Sequence, residues 1–188
     1  MESIRILKEN LRIGNITLRN FINLNPDELE LVRTWRNHPE VRKWMYNDQE
    51  ISKEEHFRFV ERLKEDSKNF YYLAVKDNAY MGVVNLVRAD LRNRNAYFGI
   101  YANPENRIQG TGFILGKALL KLAFEIALLH TLRLEVLENN IKALNLYRKL
   151  GFKEEGILRE FVLKEGKWFD VIVMGMTEEE YRNAHGEN

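Results

Sequence analysis

Along the chain the apolar residues switch repeatedly between a two-residue and a three-to-four-residue period, and the switches mark out elements. Residues 4–24 alternate like strands, with Gly14-Asn15 as a turn between Leu11-Arg12-Ile13 and the run from Ile16 to Phe21. Asn25 reads as a helix cap with Pro26 at the first helical position, and Leu29, Leu31, Val32 and Trp35 carry the helix on. His38-Pro39 ends it, because a residue before proline is pushed out of the α region. Trp44-Met45-Tyr46 then falls in a loop. Ser52-Lys53-Glu54-Glu55 has the form of a capping box and opens a helix to about Asp66. Its Phe57, Val60 and Leu63 recur at helical spacing, with His56 and Phe59 on a neighbouring face.

Three strand-like runs follow, Phe70 to Lys76, Tyr80 to Val87 and Ala96 to Ala102, joined by Asp77-Asn78 and by Arg92-Asn93-Arg94-Asn95. Links this short favour an antiparallel meander. A helix from about Gly110 to Leu129 places Leu115, Leu119, Leu122 and Ile126 on one face. Thr131 to Leu137 is the next strand; with a helix between, it should lie parallel to the Ala96 to Ala102 strand through a right-handed crossover. Asn140 to Leu150 is a helix closed by Gly151. Strands near Glu160 to Leu163 and Trp168 to Met176 flank the hairpin signal Lys164-Glu165-Gly166-Lys167. The pattern predicts one mixed α/β domain over residues 1–188, without repeats or linkers.

Composition narrows the functional classes. With 188 residues, 45% hydrophobic and 30% charged, the chain can bury a sizeable core. A net charge of +1 gives no general reason to expect nucleic acid or an anionic membrane as partner. There is no cysteine, which removes disulfides, thiol nucleophiles and thiolate metal sites. The four histidines, His38, His56, His130 and His185, are scattered without paired carboxylates, so no metal is expected. The first residues lack a signal-peptide apolar core, and the run Ala118 to Leu129 is too short to span a bilayer, so a cytoplasmic location is expected.

Arg107-Ile108-Gln109-Gly110-Thr111-Gly112, set between a strand and an apolar helix, has the parts of a pyrophosphate cradle. Glycines let main-chain N–H groups approach an anion, and the helix behind adds unpaired donors and the positive end of its dipole. A glycine turn joining strand to helix has the same spacing. The second half of the unit reads Asn140-Ile141-Lys142-Ala143-Leu144-Asn145-Leu146-Tyr147-Arg148-Lys149-Leu150-Gly151-Phe152. Together the two segments resemble the [R/Q]-x-x-G-x-[G/A] loop and the N-x-x-A-x-x-x-Y-x-K-x-G-F pattern of the GNAT superfamily of N-acetyltransferases.

That resemblance implies a mostly antiparallel central sheet flanked by helices, with a splayed parallel strand pair, and acetyl-CoA as the acyl donor. The backbone of Ile108 to Gly112, behind Arg107, would hold the pyrophosphate. The strand with Ile100 and Tyr101 would pair with the pantetheine arm, and Asn140 and Ala143 would complete the cofactor side. Tyr147 would protonate the departing thiolate; a phenol of pKa roughly 10 suits a thiol of about 8.5. On an amphipathic helix Tyr147 could equally be a core-edge aromatic. Glu135 interrupts the strand Leu132 to Leu137 opposite Leu134 and Val136, and is the candidate base acting through water. A solvated strand residue paired with Arg133 or with a neighbouring strand would look the same.

For the acceptor, Trp35-Arg36-Asn37-His38-Pro39, then Glu55-His56-Phe57-Arg58-Phe59 and Asp66-Ser67-Lys68 resemble the flagellar-glycan branch of the superfamily, from the pseudaminic acid pathway. That branch acetylates the 4-amino group of UDP-4-amino-4,6-dideoxy-N-acetyl-β-L-altrosamine. Arg36 offers a bidentate fork for a diphosphate. Met45, Tyr46 and Phe59 offer apolar surface for a uracil and a 6-deoxy methyl, and His56 could bind an oxygen or act as a second base. Arg36 could instead finish a helix C-terminus, and Phe59 could be core. The rivals are a ribosomal-protein N-terminus or a polyamine as acceptor, and a non-catalytic acetyl-CoA sensor. Residues Ile4 to Asn15 read as an N-terminal addition, and the oligomeric state stays open, a homodimer included.

Overall fold

The computed structural model describes residues 2–185, with side chains from Ile4 onward. Eight strands form one sheet in the order β1-β2-β3-β4-β5-β6-β8-β7. They are β1 (Leu11–Ile13), β2 (Ile16–Asn20), β3 (Phe70–Lys76), β4 (Ala79–Asp90), β5 (Asn95–Ala102), β6 (Thr131–Leu137), β7 (Lys153–Lys164) and β8 (Lys167–Thr177). Every neighbouring pair is antiparallel except β5 and β6. That pair is bridged by helix α5 (Thr111–Lys121), which runs into a wide π turn at Leu122–Ile126. The expected continuous helix to Leu129 is therefore interrupted, and Leu128 reverses the chain in the left-handed region (φ 54°).

Alternation of the strands sends side chains to two cores. On one face Tyr72, Val84, Phe98, Leu132 and Leu134 meet Leu115 and Leu119 of α5 and Leu144 and Leu150 of α6 (Ile141–Leu150). On the other, Leu73 and Val83 meet Val32 and Trp35 of α2 (Pro26–Asn37) and Val60 and Leu63 of α4 (Lys53–Glu65). Gly112 and Gly116 bring α5 and α6 together: a Cβ at either would lie 2.9 Å and 2.4 Å from the nearest carbons of Leu146 and Leu150.

The predicted Ser52–Glu55 capping box forms, and the predicted Asn25 cap proves to be one as well, with Glu28 as its reciprocal partner. His38 ends α2 and caps the one-turn α3 (Pro39–Arg42). Three expectations change. Residues 4–8 are not a strand but part of helix α1 (Glu2–Lys8), because Ile4 and Leu7 lie one turn apart and both reach the core. The Leu7 carbonyl is fixed there by Asn20 Nδ2 at 2.9 Å and by the Tyr72 hydroxyl. On α4 the buried stripe is His56, Val60 and Leu63, while Phe57 is 60% exposed, because the inward face starts one residue earlier than the spacing suggested. A final helix, α7 (Glu178–His185), was not anticipated; Tyr181 stacks on Phe124 at 4.8 Å and docks it. No described helix is long and apolar enough to cross a membrane.

Candidate active site

β5 and β6 pair only from Asn95–Thr131 to Tyr97–Arg133, although both strands run on to Ala102 and Leu137. Past that point they splay, and a cavity of about 970 Å3 opens through the gap to both faces of the sheet. Its walls carry Gly110 and Gly112 at one end, Ile100, Glu135 and Tyr147 in the middle, and Arg36, His56 and Phe59 at the other.

At the first end Gly110 takes φ 88°, a left-handed value that glycine adopts without strain, and begins α5 with no side-chain cap. The amides of Ile108, Gln109, Gly110 and Gly112 have no hydrogen-bond partner among the described residues, whereas Thr111 N–H donates to the Ile108 carbonyl at 3.2 Å. The Thr111 hydroxyl also closes on that carbonyl, at 2.8 Å, so Thr111 shapes the turn while its neighbours point donors outward. Such a concavity at a helix N-terminus fits a pyrophosphate. Arg107 lies at the rim, paired with Glu40 of α3 at 3.0 Å. Asn140 caps α6 through Ala143 N–H at 3.2 Å, which sets the α6 residues that face the cavity.

Tyr147 reaches the cavity from α6. It is 9% exposed, set edge-on to Phe98 and Phe152 with ring centroids 6.0 Å and 6.1 Å away. Burial pushes its pKa up to about 12. Its hydroxyl has no partner among the described residues, and a protonated phenol so placed can donate to a group in the gap.

Glu135 emerges on the opposite face, as the strand alternation predicts, but its partners are not those expected. Arg133 pairs with Glu155 at 2.6 Å. Glu135 Oε1 accepts from Arg88 Nη1 at 3.2 Å, and Oε2 accepts from the Tyr46 hydroxyl at 2.7 Å. Arg88 stands in a bulge of β4, in the left-handed region at φ 51°, and its guanidinium lies 4.7 Å from the Tyr97 ring centroid. Burial, then the Glu135 carboxylate, drive the Tyr46 pKa upward, so the phenol is held protonated.

The other residues expected to meet the acceptor, Arg36, Met45, His56 and Phe59, line the same cavity. Arg36 Nη2 donates to the Asn47 carbonyl at 2.5 Å, while Nη1 is buried without a partner. Burial pulls the Arg36 pKa below its usual range. His56 Nε2 is likewise buried and unpartnered, and desolvation, with Arg33 nearby, lowers the His56 pKa and favours the neutral ring. Phe59 stands edge-on to Tyr71 at 5.1 Å, and Met45 lines the same wall. Tyr71, Arg88 and the side chain of Tyr101, which lies on this face and not in the cofactor gap, escaped the sequence reading. So did Phe161 and Lys164: Phe161 meets Tyr46 edge-on at 6.0 Å, and Lys164 pairs with Asp48 at 3.0 Å. Among the described residues no cluster of three or more His, Asp or Glu side chains could hold a metal ion.

Residues 15–153 match the acetyltransferase (GNAT) domain family. The chain is 39% identical over 137 residues to the acetyltransferase PseH of Campylobacter jejuni, an overlap of 73% of this chain and 84% of that protein. It is 26% identical over 162 residues to a spermidine N(1)-acetyltransferase of Escherichia coli, covering 86% of this chain and 87% of that one. The solved structure of C. jejuni PseH in complex with acetyl coenzyme A superposes with a TM-score of 0.66 at 30% identity, over 86% of this chain and 98% of that one. The Vibrio cholerae spermidine N-acetyltransferase in complex with CoA and spermine gives 0.82 at 26% identity, over 90% of this chain and 99% of that one.

Proposed function

Because the chain belongs to the GNAT family of acetyl-CoA-dependent N-acetyltransferases, we propose that its acceptor is the 4-amino group of a UDP-linked amino-deoxy sugar of pseudaminic acid synthesis. The observation that carries this reading is the pair of buried, unpartnered polar atoms in the acceptor half, Arg36 Nη1 and His56 Nε2. A polar group left buried without a partner costs about 1–3 kcal/mol, more when charged, so the two atoms favour a ligand that supplies an acceptor to Arg36 and a donor to His56. A diphosphate suits the guanidinium, and a sugar or uracil N–H or O–H suits the neutral imidazole. Phe59, Tyr71 and Met45 beside them suit a base and a deoxy methyl group.

A polyamine would need free carboxylates instead. The two on the cavity wall are already engaged, Glu40 by Lys43 and Arg107 and Glu135 by Arg88. Residues 1–188 act in this reading as one N-acetyltransferase domain. Acetyl-CoA supplies the acyl group when bound. The unpaired amides around Gly110 receive its pyrophosphate, the free edge of β5 near Ile100 and Tyr101 its pantetheine arm, Glu135 the amine proton, and Tyr147 protonates the departing sulfur with its own hydroxyl proton. Thiol release from acetyl-CoA is the test, with a UDP-4-amino sugar, a ribosomal N-terminal peptide and spermidine offered in turn. Release with the UDP-amino sugar is expected; release with the peptide or spermidine alone would overturn the acceptor assignment.

A further inference from the structure

Glu135 does not face the acceptor cavity alone. Its side chain is 14% exposed, and each carboxylate oxygen already accepts from a fixed donor, Arg88 on one side and the Tyr46 hydroxyl on the other. Tyr46 is more accessible than Glu135, 40% exposed and on the wall of the cavity. It is also held from three directions. Its hydroxyl is on Glu135 at 2.7 Å, its ring is edge-on to Phe161 of the β7–β8 hairpin, and the following loop is tied to that hairpin by Lys164 and Asp48. Both groups line the cavity, so an amine bound there meets the phenol as well as the carboxylate.

We propose that Tyr46 is a catalytic residue that relays the amine proton to Glu135. As the nitrogen bonds to the acetyl carbonyl carbon and the carbon–sulfur bond breaks, the amine N–H proton passes to Tyr46 Oη. The proton already on Oη moves in the same step along the 2.7 Å hydrogen bond to Glu135 Oε2. The electron pair of the broken bond leaves on sulfur, which takes the Tyr147 phenol proton, and Tyr147 regains one from solvent after the thiol leaves. Tyr46 ends as it began, and Glu135 returns its proton to solvent after product leaves. Arg88 supports the relay as a positioning residue, since it fixes Oε1 and so turns Oε2 toward Tyr46. The relay rests on the reading of Glu135 as base.

Tyr46→Phe tests it, with the ring contact to Phe161 retained, and Glu135→Gln run in parallel on whichever amine acceptor the wild-type enzyme turns over fastest. The expected result is a fall in kcat of about 100-fold for Tyr46→Phe. Its KM for acetyl-CoA and its melting temperature should not move. The double variant should be no more than about threefold slower than the slower single, because two members of one relay fail together. Rates in mixtures of H2O and D2O provide the discriminating readout: removal of Oη–H should leave the inventory with one fewer moving proton. A Tyr46→Phe rate within threefold of wild type, beside an inactive Glu135→Gln, overturns the relay and leaves the base in place. A large loss with an unchanged proton inventory makes Tyr46 a positioning residue and also overturns it. An active Glu135→Gln removes the base and the relay together.

Discussion

Replacing Tyr147 by Phe removes one oxygen and little else, and the structure sets the size of the effect. The ring keeps its edge contacts with Phe98 and Phe152. The lost hydroxyl has no partner among the described residues, so folding stability should change by less than about 1 kcal/mol. Catalysis is different. With the phenol pushed to about 12 by burial, donation to a thiolate of ordinary pKa about 8.5 is uphill by about 3.5 units, or about 5 kcal/mol. A thioester sulfur bound beside Tyr147 would share its burial, which would destabilise the thiolate too and narrow the gap. The sulfur becomes basic enough to accept the proton only as the carbon–sulfur bond breaks, and the mismatch places the benefit near the low end of general-acid catalysis, about 100-fold or about 2.7 kcal/mol. The assay is thiol release, beside calorimetric binding of acetyl-CoA. Turnover should drop by that factor with the dissociation constant within twofold. Turnover within threefold of wild type would refute the acid role, and a matching loss of affinity would show that the hydroxyl binds the cofactor instead. A raised pKa also means that the acid stays protonated up to pH 10, so Tyr147 should produce no alkaline limb in kcat below about pH 11.

Two further outcomes follow from the same geometry. Arg36→Lys keeps the charge but loses the planar fork, so KM for a UDP-amino sugar should rise at least tenfold with KM for acetyl-CoA unchanged; if only thermal stability falls, Arg36 is structural. Alkaline unfolding should be steep. Burial raises the pKa of Tyr147 from 10.0 to about 12, and drives those of Tyr72 and Tyr101 upward as well. A folded-state pKa above the unfolded one gives stability that is complete below the unfolded value and lost as pH rises through the folded one. For Tyr147 alone the two units amount to at most about 2.7 kcal/mol. Melting temperature should therefore hold to about pH 9.5 and fall sharply above 10, less so in Tyr147→Phe; a flat curve to pH 11 would show that these phenols titrate normally.

The shape of the Gly110 loop and of α6 was legible because it is set locally. A left-handed glycine, a helix start and a cap are each written in adjacent residues: Gly110 provides the turn, Asn140 caps α6, and Gly151 ends it at φ 101°. Helices α2 and α4 were equally readable from Asn25, Pro26 and Ser52, since a capping box needs only four residues. Residues 4–8 misled because five residues can fit two periods, and only the packing of Leu7 under Asn20 and Tyr72 chooses the helix. Gly112 was legible as a glycine of the loop but not in its packing role, which depends on Leu146 thirty-four positions later.

The acceptor half is drawn from positions 36 to 161 and assembled by devices that no local pattern reveals. Tyr101 belongs by backbone to the strand beside the cofactor gap, yet alternation turns its ring to Arg36 and Tyr71, where burial raises the phenol pKa against the pull of the guanidinium. Arg88 and Glu160 are non-glycine residues at φ 51° and 49°, each in a bulge, and both lie where the acceptor wall is built. Such backbone costs of order 1–3 kcal/mol per residue and persists where the surroundings over-determine it. At Arg88 the surroundings are Tyr97 under the guanidinium and Glu135 in front of it. At Glu160 they are the Asp170 carboxylate, which accepts the Glu160 N–H at 2.7 Å, and Phe161, which the bulge carries against Tyr46. Each bulge thus delivers one restraint on the Tyr46–Glu135 pair, one from β4 and one from β7. Two strained positions on separate strands restrain one hydrogen bond, and the fixed geometry that results is the kind a proton relay through Tyr46 would use.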